Sequence, residues 1–130
     1  MSAPLRRIRR AATGDFLGPL ETAVMERLWR RGPATVRDVV DDVGRSRGLA
    51  YTTVMTTLAR LERKRLATRE RVGRGYVYAP AVDEASHTAE AMKDLLSRRS
   101  DRAAVLAQFV SRLSPDEEET LQRLLREIAD

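Results

Sequence analysis

Residues 50–64 are the stretch that most constrains how this chain can fold. At about 100° per residue, Val54, Leu58 and Leu61 fall on one side of a helix, with the spacing of a buried stripe. Ordinary solvated helix faces mix both signs of charge, but here the opposite side is small, hydroxylated and cationic. Short hydroxyls allow close approach to a surface, and arginines reach phosphates or guanine edges, so we interpret this segment as a helix that lies in a DNA groove. The members of this outer face are Thr52, Thr56, Ala59, Arg60 and Arg63.

The residues that follow Gly18 are predicted to form a first helix. Gly18 is followed by Pro19, and proline suits the first position of a helix. Gly32 and Pro33 predict its end. Trp29, close to that end, is interpreted as an anchor that packs on the core, as single aromatic residues at helix ends usually do.

A second, shorter helix is predicted to follow. Thr35 is a good N-cap, and Asp38 three residues later forms a shortened capping box. We predict that the helix ends at Gly44 and that residues 45–49 connect it to the helix described first. Two helices joined by a short glycine-containing link, the second with a cationic outer face, form the helix-turn-helix layout. The inner side of the second helix repeats at i, i+3, i+4 and i+7: Val36, Val39, Val40 and Val43.

A β-hairpin is predicted directly after the groove helix. Residues 66–72 and 76–79 are β-prone, and the turn between them, residues 72–75, contains two glycines around an arginine. Tyr76 and Tyr78 share one strand face, so we expect at least one of them to close the core. A cationic hairpin in this position is a wing that grips the phosphate backbone. Its cations are Arg69, Arg71 and Arg74.

Charge is divided unevenly along the chain. Residues 1–80 carry 17 Lys and Arg against 8 Asp and Glu, a balance of +9, whereas residues 81–130 carry 7 against 11, a balance of −4. A basic front and an acidic back suggest that only the front meets a polyanion. The alternative is a chance asymmetry between two solvated surfaces.

The back third is predicted to hold three short amphipathic helices. So few residues make little core of their own, so we expect the apolar stripes to pack on a second copy of the chain, most simply across a two-fold axis. The alternative is that they pack back on the front domain. The bottom-up interpretation of the segment Leu106–Val110 is a buried hydrophobic helix. The expected dimerisation residues are Met92, Leu95, Leu106, Phe109, Leu113, Leu121, Leu124, Leu125 and Ile128.

These patterns predict a mainly α fold. A winged helix-turn-helix domain, with three helices and a two- to three-stranded β-wing, precedes a three-helix dimerisation domain. The predicted boundaries are a basic flexible arm at residues 1–13, the DNA-binding domain at residues 14–81 and the dimerisation domain at residues 82–130. The arm, which contains four arginines, suits DNA backbone or a minor groove, and a merely solubilising segment is the alternative.

Residues 17–29, residues 50–61 and the wing end Tyr76-Val77-Tyr78 together resemble the BlaI/MecI-type penicillinase repressors. The stretch from Thr53 to Leu61 is similar to that family's recognition-helix pattern of Thr, Val or Ile, Thr and Arg-Leu. The resemblance extends over about residues 16–128 and is stronger in the front domain. Carried over residue by residue, it implies that five side chains face the bases: Thr52, Thr53, Met55, Thr56 and Arg60.

The same resemblance implies a homodimeric repressor that binds a palindromic operator in double-stranded DNA. It implies control of β-lactamase or resistance-type genes and of its own operon, in the cytoplasm at the nucleoid. In this family a membrane-bound sensor-protease pathway leads to cleavage in the dimerisation region, which removes the bivalency that supports tight binding. The corresponding position is Gln108-Phe109, where well-known members have Asn-Phe.

Other function classes are disfavoured by what the sequence lacks. With no cysteine and one histidine, His87, it offers no thiolate or zinc site and no nucleophile-base pair, so we expect neither an enzyme nor a cofactor. No apolar run approaches the ~20 residues of a membrane span, and no stable membrane association is expected. Two alternatives stay open: a winged-helix module for protein contacts in a larger complex, and a repressor that senses another inducer through a ligand pocket.

Overall fold

The computed structural model describes residues 17–129, which form helices and one small antiparallel sheet. The predicted basic arm, residues 1–13, lies outside the described residues. The mainly helical prediction is confirmed. The elements are α1 (Pro19–Arg31), β1 (Ala34–Thr35), α2 (Val36–Val39), a π-helical turn (Val40–Gly44), α3 (Arg45–Arg47), α4 (Tyr51–Arg63), β2 (Ala67–Val72), β3 (Gly75–Pro80), α5 (Glu84–Ser97), α6 (Arg102–Ser111) and α7 (Pro115–Ala129).

The two ends of α1 are fixed by the residues that the sequence pattern singles out. Pro19 occupies the first turn, and Glu21 Oε1 accepts a hydrogen bond from the backbone N–H of Gly18 at 3.2 Å. Gly32 ends the helix with a φ of 89°. Trp29 packs on the core as predicted, and its indole N–H donates to the carbonyl of Val82 at 2.9 Å.

The predicted start of the second helix is confirmed. The backbone N–H of Asp38 donates to Thr35 Oγ1 at 3.1 Å, and Asp38 Oδ2 accepts from the backbone N–H of Thr35 at 3.0 Å. These hydrogen bonds, first of all the one from the Thr35 backbone, hold the pKa of Asp38 below its usual value.

The predicted end of the second helix at Gly44 is wrong. Gly44 has helical dihedral angles, φ −69° and ψ −40°, and the chain passes through it as a π-helical turn into α3. Gly48, with φ 66° and ψ 35°, provides the left-handed stop, so the connector is shorter than the predicted residues 45–49. Gly44 lies against α4: a Cβ there would lie 3.4 Å from Val54 Cγ2, close to ordinary van der Waals distance.

The core of the front unit forms where α1, α2, the π-helical turn and α4 meet one face of the sheet. The sheet order is β1-β3-β2, all antiparallel, so β1 makes the wing three-stranded. Tyr78 is buried, which confirms the expectation that a tyrosine closes the core. The fully buried side chains are Val24, Met25, Leu28, Val39, Val54, Leu58 and Leu61.

Residues 95–130 form a second compact unit, separated from the first between Asp94 and Leu95. The boundary predicted between residues 81 and 82 is a separate point and stays a prediction. Both later helices begin with capping hydrogen bonds: Asp101 Oδ1 accepts from the Ala104 N–H at 3.1 Å, and Ser114 and Glu117 form a reciprocal capping box.

The interpretation of residues 106–110 as a buried helix is wrong for the single chain. Leu106 is 47% exposed and Phe109 43% exposed, because so short a unit cannot enclose its own apolar side chains. In α7, Ile128 is 81% exposed. Solvent therefore reaches a large apolar surface in this unit.

Candidate nucleic-acid interface

The outer face of α4 is exposed except at Ala59, which is half-buried. Val54, Leu58 and Leu61 turn fully into the core, as the periodicity predicts. Thr57 is buried, and its hydroxyl donates to the carbonyl of Thr53 at 2.9 Å, which takes it off the outer face. The side chains predicted to face DNA are exposed: Thr52, Thr53, Met55, Thr56, Arg60 and Arg63.

The far end of α4 is anchored by a backbone motif and a partly buried ion pair. The N–H of Leu66 bonds to the carbonyl of Leu61 and that of Arg65 to Glu62, both at 3.0 Å, which is a Schellman motif with Arg65 at φ 66°. Lys64 Nζ lies 3.1 Å from Glu21 Oε2 and joins the end of α4 to the start of α1. The groove helix is thus held at a fixed angle on the core.

The wing carries its arginines beside an aromatic ring. Arg69 and Arg71 oppose Tyr78 and Tyr76 across the strands. The Arg69 guanidinium lies 4.1 Å from the Tyr76 ring centroid, and that of Arg71 lies 5.9 Å away. A hydrogen bond to the Tyr78 side chain is the main reason that the pKa of Arg69 is raised above its usual value. Both guanidinium groups therefore lie near the Tyr76 ring and stay exposed.

Arg74 occupies the tip of the wing. It follows Gly73, whose φ of 63° permits the tight turn, and Val72 pairs with Gly75 to close the hairpin. Arg74 is exposed. The hairpin therefore presents a cation at its most distant point, as the sequence predicts.

Cations of the interface differ in their partners from four other arginines of the front unit. Within residues 17–129, no carboxylate pairs with Arg60, Arg63 or Arg74. Four other arginines in α1 and α3 are neutralised by neighbouring carboxylates. These are Arg27 and Arg31 on Asp42, Arg30 on Glu26, and Arg45 on Asp41. Among the described residues, Arg37, Arg47 and Arg65 also lack a carboxylate partner. The front unit thus carries unpaired positive charge on α4, on the wing and beside them, and such charge favours the binding of a polyanion.

Sequence reasoning missed Arg37 and Tyr51, which the fold brings together. The Arg37 guanidinium, from α2, lies 5.4 Å from the centroid of the Tyr51 ring at the start of α4. Both side chains are exposed. An exposed aromatic residue in the first turn of the groove helix was a usable signal for Tyr51, but the approach of Arg37 depends on how α2 crosses α4.

The described residues contain no helix with the length and apolar character needed to cross a membrane.

Comparison with known proteins shows which family this sequence is similar to. The family model of the penicillinase repressor matches residues 17–127. The transcriptional regulator BlaI of Mycobacterium tuberculosis is 44% identical over 116 residues, which cover 86% of this chain and 84% of that protein.

Two solved structures are similar in fold. The solution structure of the DNA-binding domain of the repressor BlaI is 26% identical with a TM-score of 0.50, and covers 54% of this chain and 85% of that one. The crystal structure of a transcriptional regulator of Thermotoga maritima covers 98% of this chain and 93% of its own, with a TM-score of 0.52. At 17% identity, this second likeness concerns the fold alone. The winged helix-turn-helix prediction is confirmed.

Proposed function

The chain belongs to the penicillinase repressor family, and we propose that it represses transcription as a homodimer bound to a palindromic operator. It is accordingly a DNA-binding transcriptional regulator and not an enzyme. One observation carries the proposal: the exposed cations of α4 and the wing have no carboxylate partner within residues 17–129, whereas four arginines elsewhere do. Such a surface suits the phosphates of double-stranded DNA.

Within this surface we assign two roles. Side chains in the middle of α4 face base edges, because short hydroxyls let the helix approach the groove floor and an arginine can bond guanine bidentately. Cations at the end of α4 and on the wing hold phosphates and fix the register. The base side consists of Thr52, Thr53, Met55, Thr56 and Arg60, and the backbone side of Arg63, Arg69, Arg71 and Arg74.

The dimer is supported by the apolar surface of the second unit and of α5. Leu113 and Leu121 are half-buried, while most of the remaining residues are well exposed. A second copy is the occupant with matching chemistry, since a two-fold interface places the same apolar patch on both sides. We propose these residues as the interface: Met92, Leu95, Leu106, Phe109, Leu113, Leu121, Leu124, Leu125 and Ile128.

Regulation is proposed to act on this second unit. Gln108 and Phe109 lie inside α6, and the Gln108 carbonyl accepts hydrogen bonds from Ser111 Oγ at 2.7 Å and Arg112 at 3.0 Å. Cleavage there by a sensor-protease pathway would require the helix to unwind first. Loss of the dimer would then release β-lactamase or resistance-type genes and the repressor's own operon, at the nucleoid in the cytoplasm.

Binding to palindromic and scrambled duplexes tests the proposal. An operator selected from a random duplex pool should bind two chains, with an affinity that falls steeply as salt rises. Arg60→Ala should cost about 1–3 kcal/mol and relax preference at one base pair of each half-site. Arg30→Ala, which removes an exposed and paired arginine of α1, is the matched control and should leave both affinity and preference unchanged. Equal affinity of the wild-type chain for both duplexes would refute sequence-specific repression.

A further inference from the structure

Two apolar side chains interrupt the polar outer face of α4. Tyr51 is 43% exposed and Met55 is 42% exposed. The helix packs on the core through its opposite side, which contains Val54, Leu58 and Leu61. Tyr51 and Met55 are four residues apart, so they lie next to each other one turn apart, with Cβ atoms roughly 6 Å from one another. Both leave part of their apolar surface in water.

The Tyr51 ring is held from a second element. Arg37 of α2 lies over it at 5.4 Å, and within residues 17–129 no carboxylate pairs with Arg37. A guanidinium over the face of a tyrosine stabilises the ring position. The result is a small apolar corner, made of Tyr51 and Met55 and bordered by a free cation.

We infer that this corner contacts the 5-methyl group of a thymine in the major groove, while Arg37 bonds the adjacent phosphate. The inference rests on the proposed function, in which α4 lies in that groove. Among the base-edge groups of the major groove, the thymine methyl is apolar, whereas the others considered for direct readout donate or accept hydrogen bonds. Apolar side chains against those polar groups would leave them desolvated without partners.

The surroundings favour DNA over a protein as the partner. Thr52 and Thr56 flank the corner with hydroxyls, and Arg60 lies one turn beyond with no carboxylate partner among the described residues. A protein-binding patch would offer a wider apolar centre, whereas two side chains between hydroxyls and cations match the size of one methyl group.

Replacement of thymine by uracil tests the inference, because it removes only the methyl group. With the selected operator, each thymine is replaced in turn, and the same position is changed in both half-sites. The wild-type chain should lose about 3–10-fold in affinity at one position of each half-site and bind the other substituted duplexes unchanged. Met55→Ala should bind the thymine and uracil duplexes equally.

Variants at Tyr51 and Arg37 separate ring, hydroxyl and charge. Tyr51→Phe keeps the ring and should keep the full uracil effect, whereas Tyr51→Ala should remove most of it. Arg37→Gln should lower the slope of log affinity against log salt by about one on every duplex. All these side chains are exposed, and thermal melting of each variant confirms that it folds.

Two results would overturn the inference in distinguishable ways. If the wild-type chain prefers the operator to the scrambled duplex but tolerates uracil at every position, the methyl contact is wrong and the proposed function stands. An uracil effect that persists unchanged in Met55→Ala would also refute the contact. If no operator preference is found, the proposed function fails and the inference fails with it.

Discussion

Arg65 carries backbone strain. Its φ of 66° lies in the left-handed region, which costs a residue with a side chain about 1–2 kcal/mol. The position is the one after the cap of a Schellman motif, where glycine is usual. Leu66 beyond it is buried, and the hydrogen bonds of the motif keep the strained conformation in place.

Arg65→Gly should therefore raise the free energy of unfolding by about 0.5–1 kcal/mol, since part of the relief is offset by the greater freedom of glycine in the unfolded chain. Urea unfolding at one fixed protein concentration measures the change. Arg65→Ala is the control, because it removes the side chain and its charge but keeps the strain. An equal gain from alanine would attribute the effect to charge and not to the backbone.

His87 is a second residue whose surroundings oppose its charged form. Its ring lies 5.7 Å from that of Trp29, and within residues 17–129 its buried Nδ1 has no hydrogen-bond partner. Burial lowers the pKa of His87 from its ordinary value of 6.5. Well above pH 6.5 the imidazole is neutral in the folded and unfolded chain alike, so it adds no pH dependence there.

Stability should fall as the pH drops below about 6.5, because the unfolded chain then binds a proton before the folded one. The loss should level off below the lower pKa of the folded state. His87→Phe keeps a ring against Trp29 and should abolish this part of the curve, in urea unfolding followed from pH 7.5 downward. Asp38 and Asp83, whose pKa values are lowered, affect only a more acidic range. Unchanged pH dependence in His87→Phe would contradict the assignment.

For individual residues, the sequence predicted the outer face of α4 well because helical periodicity assigns each side chain a direction. It could not reveal the contact of Arg37 with Tyr51, which joins residues of two elements. The left-handed conformation of Arg65 could not be predicted either, because glycine is the residue that normally indicates such a conformation.

Among the elements, the second helix departs most from expectation. A glycine near the end of an apolar pattern normally predicts a C-cap, and Gly44 fits that pattern. Yet Gly44 lies where the π-helical turn meets α4. A Cβ added at Gly44 would be 3.4 Å from Val54 Cγ2. Sequence alone does not distinguish a glycine that provides a left-handed stop from one inside a continuing helix, because the residue type is the same.

Gly44→Val should destabilise the fold by about 1–3 kcal/mol, since its methyl groups would enter the contact with Val54 and Val40. Gly44→Ala should be nearly neutral, because better helix propensity offsets the tight contact. Arg47→Val places the same branched side chain at an exposed helical position and controls for propensity alone. Equal losses from Gly44→Val and Arg47→Val would contradict the packing role.

For the whole molecule, the central property is an apolar surface that the single chain leaves in water. Periodicity in α6 and α7 indicated which side chains form it, but sequence could not tell whether the chain covers them itself. The answer depends on how much surface so few residues can enclose. In the proposed dimer, a second copy would contribute the other half of such a core.

Phe109→Asp should convert the dimer into a monomer, because a carboxylate buried in an apolar interface is strongly unfavourable. Sedimentation velocity at micromolar concentration measures the change, and operator affinity should fall on the order of 10²–10⁴-fold as bivalency is lost. Arg123→Gln changes the net charge equally, at an exposed ion pair with Glu127, and should stay dimeric. A monomeric wild-type chain would refute the dimer.

The π-helical turn at Val40–Gly44 bears on how relatives of this chain should be aligned. Arg45 bonds back to the carbonyl of Val40, five residues earlier, so the turn contains one residue more than an α-helical turn. The helix absorbs that extra residue while the segments on either side keep their faces toward the core. A homologue shorter by one residue here would carry an unbroken α-helix and the same interface. We therefore expect a single-residue gap in an alignment at this point to reflect a change of helix type and not an altered loop.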